Sequence, residues 1–177
     1  MAVGIRAVSP GDAEAFADLL SRNRSFLAPW DPVRNEAYFT ADGQRELLTR
    51  SLHRLDQGLD WPGVITLDDV PVGRVNLNNL IRGAFCSADL GYWVDQAHNG
   101  RGVATAAVAA VVQLAFTELD LHRVQAGTLL HNRGSQRVLE RNGFTRIGMA
   151  PRYLRIAGRW QDHLLFQCLA DDPRTVP

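Results

Sequence analysis

A glycine-containing loop between a predicted strand and a predicted helix holds the residues best suited to chemistry. Residues 91–105 read GYWVDQAHNGRGVAT. Glycines let the backbone N–H groups of such a loop point into one concavity at the positive end of the helix dipole, where phosphate groups bind. The loop lacks the Lys-Ser/Thr ending of a P-loop, and Thr105 replaces the third glycine of a dinucleotide fingerprint. Taken alone, the loop is explained more readily by a tight turn than by phosphate binding.

The charge distribution points to the same region, although the formal net charge of the chain is zero. Residues 1–100 carry nine arginines against 13 acidic residues, whereas residues 101–160 carry nine arginines against three acidic residues. The basic segment begins inside the glycine-containing loop, which favours an anionic ligand there. It shows no stacking pattern of an RNA-binding module, so we expect no direct nucleic-acid binding.

The length and composition predict a single globular domain over residues 1–177. A hydrophobic content of 46% with 21% charged residues excludes the disordered and fibrous classes. Cys86 and Cys168 lie far apart, and the histidines lack ligand spacing, so we expect neither a disulfide scaffold nor a metal site. A charge appears as early as Arg6, and the apolar stretch 103–116 is too short to span a bilayer. We therefore expect a cytoplasmic protein without a membrane partner.

Hydrophobic periodicity and turn residues predict the elements that must position the loop. Strands 64–67, 72–80 and 87–94 are joined by turns and form an antiparallel meander. The whole order, β-α-α-β-β-β-α-β-α-β-β, predicts an α/β (α+β) protein with a mixed sheet and helices on its faces. The other strands are predicted at 3–8, 122–130, 144–156 and 163–169, and the helices from Ser9-Pro10 and at 42–57, 102–119 and 132–142, with a short helix or turn within 22–34.

In this context the loop sequence Asn99-Gly100-Arg101-Gly102-Val103-Ala104 resembles the Gln/Arg-x-x-Gly-x-Gly/Ala motif of the GNAT N-acetyltransferases, which bind acetyl-CoA. The chain departs from that motif at Asn99, where Gln or Arg is usual. The resemblance covers nearly the whole chain. Within the family, the chain resembles the Rim-type branch, the ribosomal-protein N-terminal acetyltransferases, in segments 23–34, 82–85, 122–124, 130–135, 138–144 and 158–163. It implies a GNAT-like, mostly antiparallel central sheet of about seven strands, with helices on both faces and a splayed cofactor cleft.

The resemblance also implies how acetyl-CoA binds. Backbone amides of 100–105 would hold the pyrophosphate with Arg101 beside it. Backbone groups of Trp93 and Val94 would pair with the pantetheine, and the Val94 N–H would polarise the thioester oxygen. Asn132 resembles the family asparagine that bonds the cofactor arm, and a helix N-cap explains it equally well. The implied cofactor-binding residues are Trp93, Val94, Asn99, Gly100, Arg101, Gly102, Val103, Ala104, Thr105 and Asn132.

Two catalytic residues follow from the same resemblance. Asp89 is the predicted base because Rim relatives often carry an acid two residues before the position of Gly91, although a solvent-facing strand acid is an equal alternative. Many GNAT members use a tyrosine seven residues after the asparagine as the acid, and here that position is Leu139. Ser135 is the Rim-like replacement that donates to the departing sulfur, or else a capping-region serine. The acceptor amine attacks directly, so no protein nucleophile is needed.

We expect the acceptor to be the N-terminal amine of a protein, in particular a ribosomal protein. The alternatives are a small amine such as an antibiotic, a larger acyl-CoA donor, and a non-catalytic CoA-binding sensor or assembly factor. The protein is expected to be a monomer or a homodimer. Eight residues resemble the surroundings of the amine entrance: Phe26, Trp30, Arg34, Tyr38, Tyr153, Trp160, Asp162 and His163. Aromatic residues of this kind more often pack in the core than contact a ligand, so core packing is the alternative.

Overall fold

The computed structural model describes residues 2–172, which contain seven strands and five α-helices. The strands are β1 (Val3–Ala7), β2 (Trp61–Leu67), β3 (Val70–Ile81), β4 (Ser87–Val94), β5 (Arg123–Leu129), β6 (Thr145–Ile156) and β7 (Arg159–Leu169). The helices are α1 (Ala13–Arg22), α2 (Arg24–Leu27), α3 (Ala41–Asp56), α4 (Val103–Thr117) and α5 (Arg133–Arg141). Short 3-10 turns lie at Pro10–Asp12, Glu36–Phe39 and Gln96–His98.

All seven strands form one sheet in the order β1-β2-β3-β4-β5-β7-β6. Every neighbouring pair is antiparallel except β4 and β5, which are parallel. The parallel pairing joins only Ser87–Asp89 to Arg123–Gln125, and beyond these residues the two strands are no longer paired. The predicted mixed sheet, its antiparallel meander and its splayed cleft are therefore confirmed.

Helices cover both faces of the sheet, and alternation along the strands decides which face each side chain joins. Val64 on β2 packs into a cluster with Phe16 of α1 and Leu48 of α3, whereas its neighbour Ile65 belongs to the cluster that includes Val108 of α4. Adjacent residues thus contribute to different halves of the core. This arrangement holds α1 and α3 on one side of β4 and α4 on the other.

The element bounds agree with the predicted ones within a few residues; the largest difference is at β7, which begins at Arg159 rather than at His163, and the next largest is at β2. This strand begins at Trp61 rather than at Val64, because Trp61 and Pro62 pair with Leu77 and Asn76 of β3. A local pattern with Pro and Gly does not predict a strand, so the pairing with β3 decides the structure there. None of the helices in the described part of the chain combines the length and apolar character that crossing a bilayer requires.

Candidate active site

The divergence of β4 from β5 opens two adjoining cavities. We call the first the loop cavity, of about 450 Å³, and the second the arginine cavity, of about 420 Å³. The loop cavity is lined by residues that include Phe26, Val94, Asn99, Ala104 and Val138. The arginine cavity is lined by residues that include Arg34, Tyr38, Arg74, Asn76, Thr128 and His163. Both cavities share Trp30, Tyr92, Trp93, Asn132 and Ser135, so these side chains lie at the junction between them.

The open edge of β4 presents backbone groups of Tyr92 and Val94. The N–H of Asp95 donates to the carbonyl of Val72 on β3 at 2.8 Å, so the backbone groups of Asp95 face β3. Because backbone groups alternate along an antiparallel strand, those of Val94 and Tyr92 point away from β3 towards the cleft. The backbone groups of Trp93 face β3, so its predicted pairing with pantetheine stays a prediction that this orientation does not favour. Tyr92 is the neighbouring residue whose backbone groups face the cleft, and Val94 has the orientation that its predicted role needs.

The loop that precedes α4 is open and polar. Gly100 and Gly102 have φ angles of 76° and 81°, in the left-handed region that favours glycine. The first backbone bond of α4 runs from the N–H of Ala106 to the carbonyl of Gly102, at 2.9 Å. The N–H groups of Val103–Thr105 precede this bond and have no acceptor within the helix. Together with the exposed Arg101, they form a site of the kind that binds a phosphate.

Asp95 anchors the turn between β4 and this loop. Its buried carboxylate accepts hydrogen bonds from the guanidinium of Arg22 at 2.6 Å, the amide of Asn23 at 3.0 Å and the N–H of Ala97 at 3.2 Å. The carbonyl oxygen of the Asn23 side chain in turn accepts from the N–H of Gln96 at 2.8 Å. Burial would raise the pKa of Asp95, but these bonds outweigh it and lower the pKa. No local pattern in the sequence predicts this cluster, because its partners lie far apart in the chain.

A second contact joins β4 to α5 across the cleft. The phenol oxygen of Tyr92 lies 2.8 Å from Oγ of Ser135. Burial raises the pKa of Tyr92 to about 12, so its hydroxyl stays neutral at physiological pH and can donate to Ser135. The side chain of Asn132 accepts from the N–H of Ser135 at 3.1 Å, which confirms its N-cap role. Leu139, at the position where a tyrosine is usual, is fully buried in the core.

Asp89 lies at the closed end of the cleft rather than among the lining residues. It pairs with Gln125 in the last register position that β4 and β5 share. Its carboxylate accepts a hydrogen bond from the side-chain amide of Asn79 at 3.1 Å. Asp89 lines neither cavity. The role of Asp89 as base stays a prediction, and the position of Asp89 outside both cavities supports that role less than the sequence did.

The predicted acceptor residues separate into three groups. Arg34, Tyr38 and His163 line the arginine cavity, and Trp30 lies at the junction, where its ring centroid is 5.2 Å from that of His131. Phe26 lines only the loop cavity, on the cofactor side. The remaining three, Tyr153, Trp160 and Asp162, line neither cavity. The ring of Tyr153 contacts His163, and the carboxylate of Asp162 accepts a hydrogen bond from the N–H of Arg152. Trp160 is 62% exposed.

His163 has one ring nitrogen committed and one available. The side chain is buried, and its Nδ1 lies 2.9 Å from the carbonyl oxygen of Gln161. A carbonyl accepts only, so Nδ1 carries the hydrogen and the neutral ring keeps its lone pair on Nε2. Among residues 2–172, Nε2 has no hydrogen-bond partner, and the ring lines the arginine cavity. The resemblance predicted His163 near the acceptor, whereas the orientation of its ring depends on the tertiary fold.

A phosphate-binding loop at a helix start, beside two parallel strands that diverge, defines a CoA-dependent acyltransferase fold. The family model described as "Acetyltransferase (GNAT) domain" matches residues 3–145, and the chain belongs to the GNAT acetyltransferases. The loop, the open edge of β4 and the loop cavity give this chain a place for the phosphates and the pantetheine arm of CoA. The protein is an N-acetyltransferase that uses acetyl-CoA as acyl donor.

Similar proteins cover almost the whole chain. The Bacillus subtilis (strain 168) protein described as "Probable N-acetyltransferase YjcK" is 41% identical over 170 residues, which span 95% of this chain and 94% of that protein. The ribosomal protein uS5-alanine N-acetyltransferase of Escherichia coli (strain K12) is 34% identical and aligns over 91% of this chain and 84% of its own. The structure of Mycobacterium smegmatis RimJ in complex with CoA-disulfide superposes with a TM-score of 0.94 at 33% identity, covering 97% and 83% of the two chains.

Proposed function

We propose that this enzyme transfers the acetyl group to the N-terminal amine of a protein, and that this protein is ribosomal. One observation carries the proposal: the arginine cavity, whose volume of about 420 Å³ is in the range of substrate pockets, meets the loop cavity at Tyr92 and Ser135. An acceptor chain in the arginine cavity can therefore present its amine where the acyl group lies. The 34% identity to the uS5-alanine enzyme of Escherichia coli supports a ribosomal acceptor.

The residues that hold the acyl donor lie along one side of the cleft. Acetyl-CoA supplies an acyl group activated as a thioester. The N–H groups of 100–105 and the side chain of Arg101 bind its phosphates, while the open backbone groups of Tyr92 and Val94 align the pantetheine arm. The N–H of Val94 donates to the acyl oxygen and stabilises the negative charge that develops there, because it is fixed in place before the reaction begins.

Ser135 and Tyr92 form the acid side of the site. The hydroxyl of Ser135 gives its proton to the departing sulfur, and the neutral hydroxyl of Tyr92, 2.8 Å away, donates to Ser135 in return. The pair lies at the junction of the two cavities, where the sulfur and the amine must meet. This placement supports Ser135 as the acid and adds Tyr92 as its hydrogen-bond donor.

His163 is the base that the geometry favours. The N-terminal amine has a pKa near about 8, so a fraction is already neutral at pH 7 and a modest base suffices to remove its proton. Nε2 of His163 has no hydrogen-bond partner among the described residues, and the side chain lines the arginine cavity, where the proposed acceptor amine enters. Asp89 remains the sequence-based candidate, and a comparison of the two variants, given in the Discussion, decides between them.

A panel of acceptors tests the proposal directly. Release of free thiol from acetyl-CoA is measured with an alanine-initiated peptide, with the same peptide blocked at its N-terminus, and with small amines. Mass spectrometry locates the acetyl group. We expect one acetyl group on the N-terminal nitrogen of the free peptide and none on the blocked peptide, even when it contains lysine. Acetylation of small amines alone would overturn the protein acceptor, and preference for longer acyl-CoA donors would overturn acetyl transfer as the main reaction.

The remaining sequence-based expectations have no structural test. The cytoplasmic location, the single domain over residues 1–177 and the monomeric or homodimeric state stay predictions. Gel filtration with light scattering measures the last of these. The non-catalytic sensor is the alternative that the family and its relatives favour least, because those relatives are named as enzymes.

A further inference from the structure

Arg74 carries a charge that the described part of the chain leaves unpaired. It lies on β3 opposite Trp93, and its guanidinium carbon is 4.8 Å from the centroid of the Phe16 ring. Its Nε is enclosed and has no hydrogen-bond partner among residues 2–172. Burial lowers the pKa of Arg74, which reflects the free energy cost of holding a guanidinium away from water. An arginine stays charged in spite of this cost, so an anion would stabilise the half-buried guanidinium of Arg74.

The acids nearest to Arg74 are already committed. Asp12 accepts two hydrogen bonds from Arg6, at 2.6 and 2.8 Å, and a third from the N–H of Ser9 at 2.7 Å. Asp31 accepts two from Arg34, at 2.8 and 3.2 Å. Both carboxylates are thus neutralised by another arginine, and neither forms a salt bridge with Arg74.

The arginine cavity therefore has an excess of positive charge. Its lining includes Arg74 and the pair of Asp31 and Arg34, which cancel each other. Burial raises the pKa of Tyr38, so its phenol stays neutral and does not act as a counterion. Thr128, whose enclosed hydroxyl has no partner among the described residues, also belongs to the lining. Two lining residues, one of them cationic, thus carry polar groups without partners.

We propose that Arg74 binds a carboxylate of the acceptor, which in a peptide is an acidic side chain a few residues behind the reacting N-terminus. The inference rests on the proposed function, because it places the acceptor in the arginine cavity. Arg74 on β3 pairs with Trp93 on β4, and Trp93 precedes Val94. The proposed carboxylate site and the acyl site therefore lie on neighbouring strands, whose backbones are about 5 Å apart. Each extended residue of a peptide spans about 3.3 Å, so an acid at position two, three or four reaches Arg74.

The same charge selects against other amines. A polyamine brings further positive charges into a cavity that already has one uncompensated guanidinium. Like charges in a partly buried space repel each other strongly because the effective dielectric constant is low. We therefore expect acceptors with a carboxylate to exceed polycationic acceptors in kcat/KM. The Arg74→Gln variant should reduce that preference.

Matched peptides provide the test. Three alanine-initiated peptides carry Glu at position two, three or four, and each has a partner with Gln at the same position. With the wild-type enzyme we expect at least one pair to differ by about tenfold to a hundredfold in kcat/KM, because a charge-assisted hydrogen bond to a buried partner is lost. Arg74→Gln should reduce the difference to less than about twofold, Arg74→Lys should keep part of it, and the exposed control Arg50→Gln should keep all of it.

Two further measurements separate the possible failures. The CoA affinity and the melting temperature of Arg74→Gln show whether the variant folds, and if it does not, the wild-type peptide pairs and Arg74→Lys decide. Equal rates for Glu and Gln at all three positions would overturn the carboxylate site while leaving N-terminal acetylation in place. If no peptide is acetylated, the proposed function fails instead. In that case free alanine is compared with alaninamide: a preference for the free acid that Arg74→Gln abolishes assigns the site to an α-carboxylate, and equal rates overturn it.

Discussion

The phenol oxygen of Tyr92 lies 2.8 Å from the hydroxyl oxygen of Ser135, and this contact connects β4 to the first turn of α5. The two residues stand on opposite sides of the cleft that opens where β4 and β5 separate, and both line the loop cavity and the arginine cavity. The loop cavity and the arginine cavity therefore meet at one hydrogen-bonded pair.

Removal of either hydroxyl of this pair should slow the chemical step. We expect Ser135→Ala to lower kcat by about a hundredfold, because the departing sulfur loses its proton donor. Tyr92→Phe should lower kcat by about tenfold, since Ser135 then lacks the donor that resupplies it. KM for acetyl-CoA should change little in steady-state thiol-release assays.

The double variant shows whether the two hydroxyls act as a unit. If they do, Ser135→Ala with Tyr92→Phe is no slower than Ser135→Ala alone. Multiplied effects would mean that Tyr92 acts independently of Ser135. A wild-type kcat in Ser135→Ala would remove the serine from the mechanism.

The base is identified by comparing His163→Gln with Asp89→Asn. We expect His163→Gln to lower kcat/KM for the peptide by about a hundredfold at pH 7, because the lone pair of Nε2 is lost. The loss should shrink above pH 8, where the N-terminal amine is neutral without assistance. Asp89→Asn should retain most of its activity, since Asp89 contacts Asn79 and lines neither cavity.

The pH profiles of the two variants show which residue is the base. A large, pH-dependent loss in Asp89→Asn together with near-normal activity in His163→Gln would restore the base predicted from the sequence. A loss in His163→Gln that is the same at every pH would reduce the histidine to a residue that shapes the cavity.

Arg101 should contribute to CoA binding through long-range attraction to its phosphates. We expect Arg101→Glu to weaken CoA binding, and to do so more at low salt than at high salt, because Arg101 is exposed and its field is screened by ions. Titration calorimetry at two salt concentrations measures the difference. Arg159→Glu, an exposed substitution of the same charge change on β7, is the control. An unchanged CoA affinity in Arg101→Glu would show that Arg101 is a solvated surface residue that does not contribute to CoA binding.

Asp95 should stabilise the fold in a pH-dependent way. Its folded pKa is lowered, so its contribution is fully present above the unfolded value near about 4 and is lost as the pH falls through the folded pKa. We expect Asp95→Ala to cost about 2 to 4 kcal/mol at pH 7, because Arg22, Asn23 and the N–H of Ala97 lose their acceptor.

Urea unfolding between pH 3 and pH 8 measures this dependence. The difference between wild type and Asp95→Ala should be constant at neutral pH and decrease below about pH 4. The exposed Asp18→Asn on α1 is the control and should change stability little at pH 7. A difference that does not change with pH would show that packing, rather than the charge of Asp95, stabilises the turn.

Features that depend on neighbouring residues are predictable from the amino-acid sequence. The meander, the loop before α4 and the cap of α5 follow from periodicity, glycine positions and the side chain of Asn132, each acting over a few residues. Even the position of Ser135 follows, because it lies three residues after that cap. These features are predictable because their causes are near one another in the chain.

Only the tertiary structure decided which distant groups meet. Tyr92 reaches Ser135 across 43 residues, and Arg22 reaches Asp95 across 73. The replacement of Trp93 by Tyr92 at the open edge depends on the pairing of β4 with β3, since a shift of one residue reverses the direction of every backbone group. The unpaired charge of Arg74 also depends on the fold, because the packing of β3 against α1 encloses its side chain. The acids near it are bound by arginines close to them in the chain, Asp12 by Arg6 and Asp31 by Arg34.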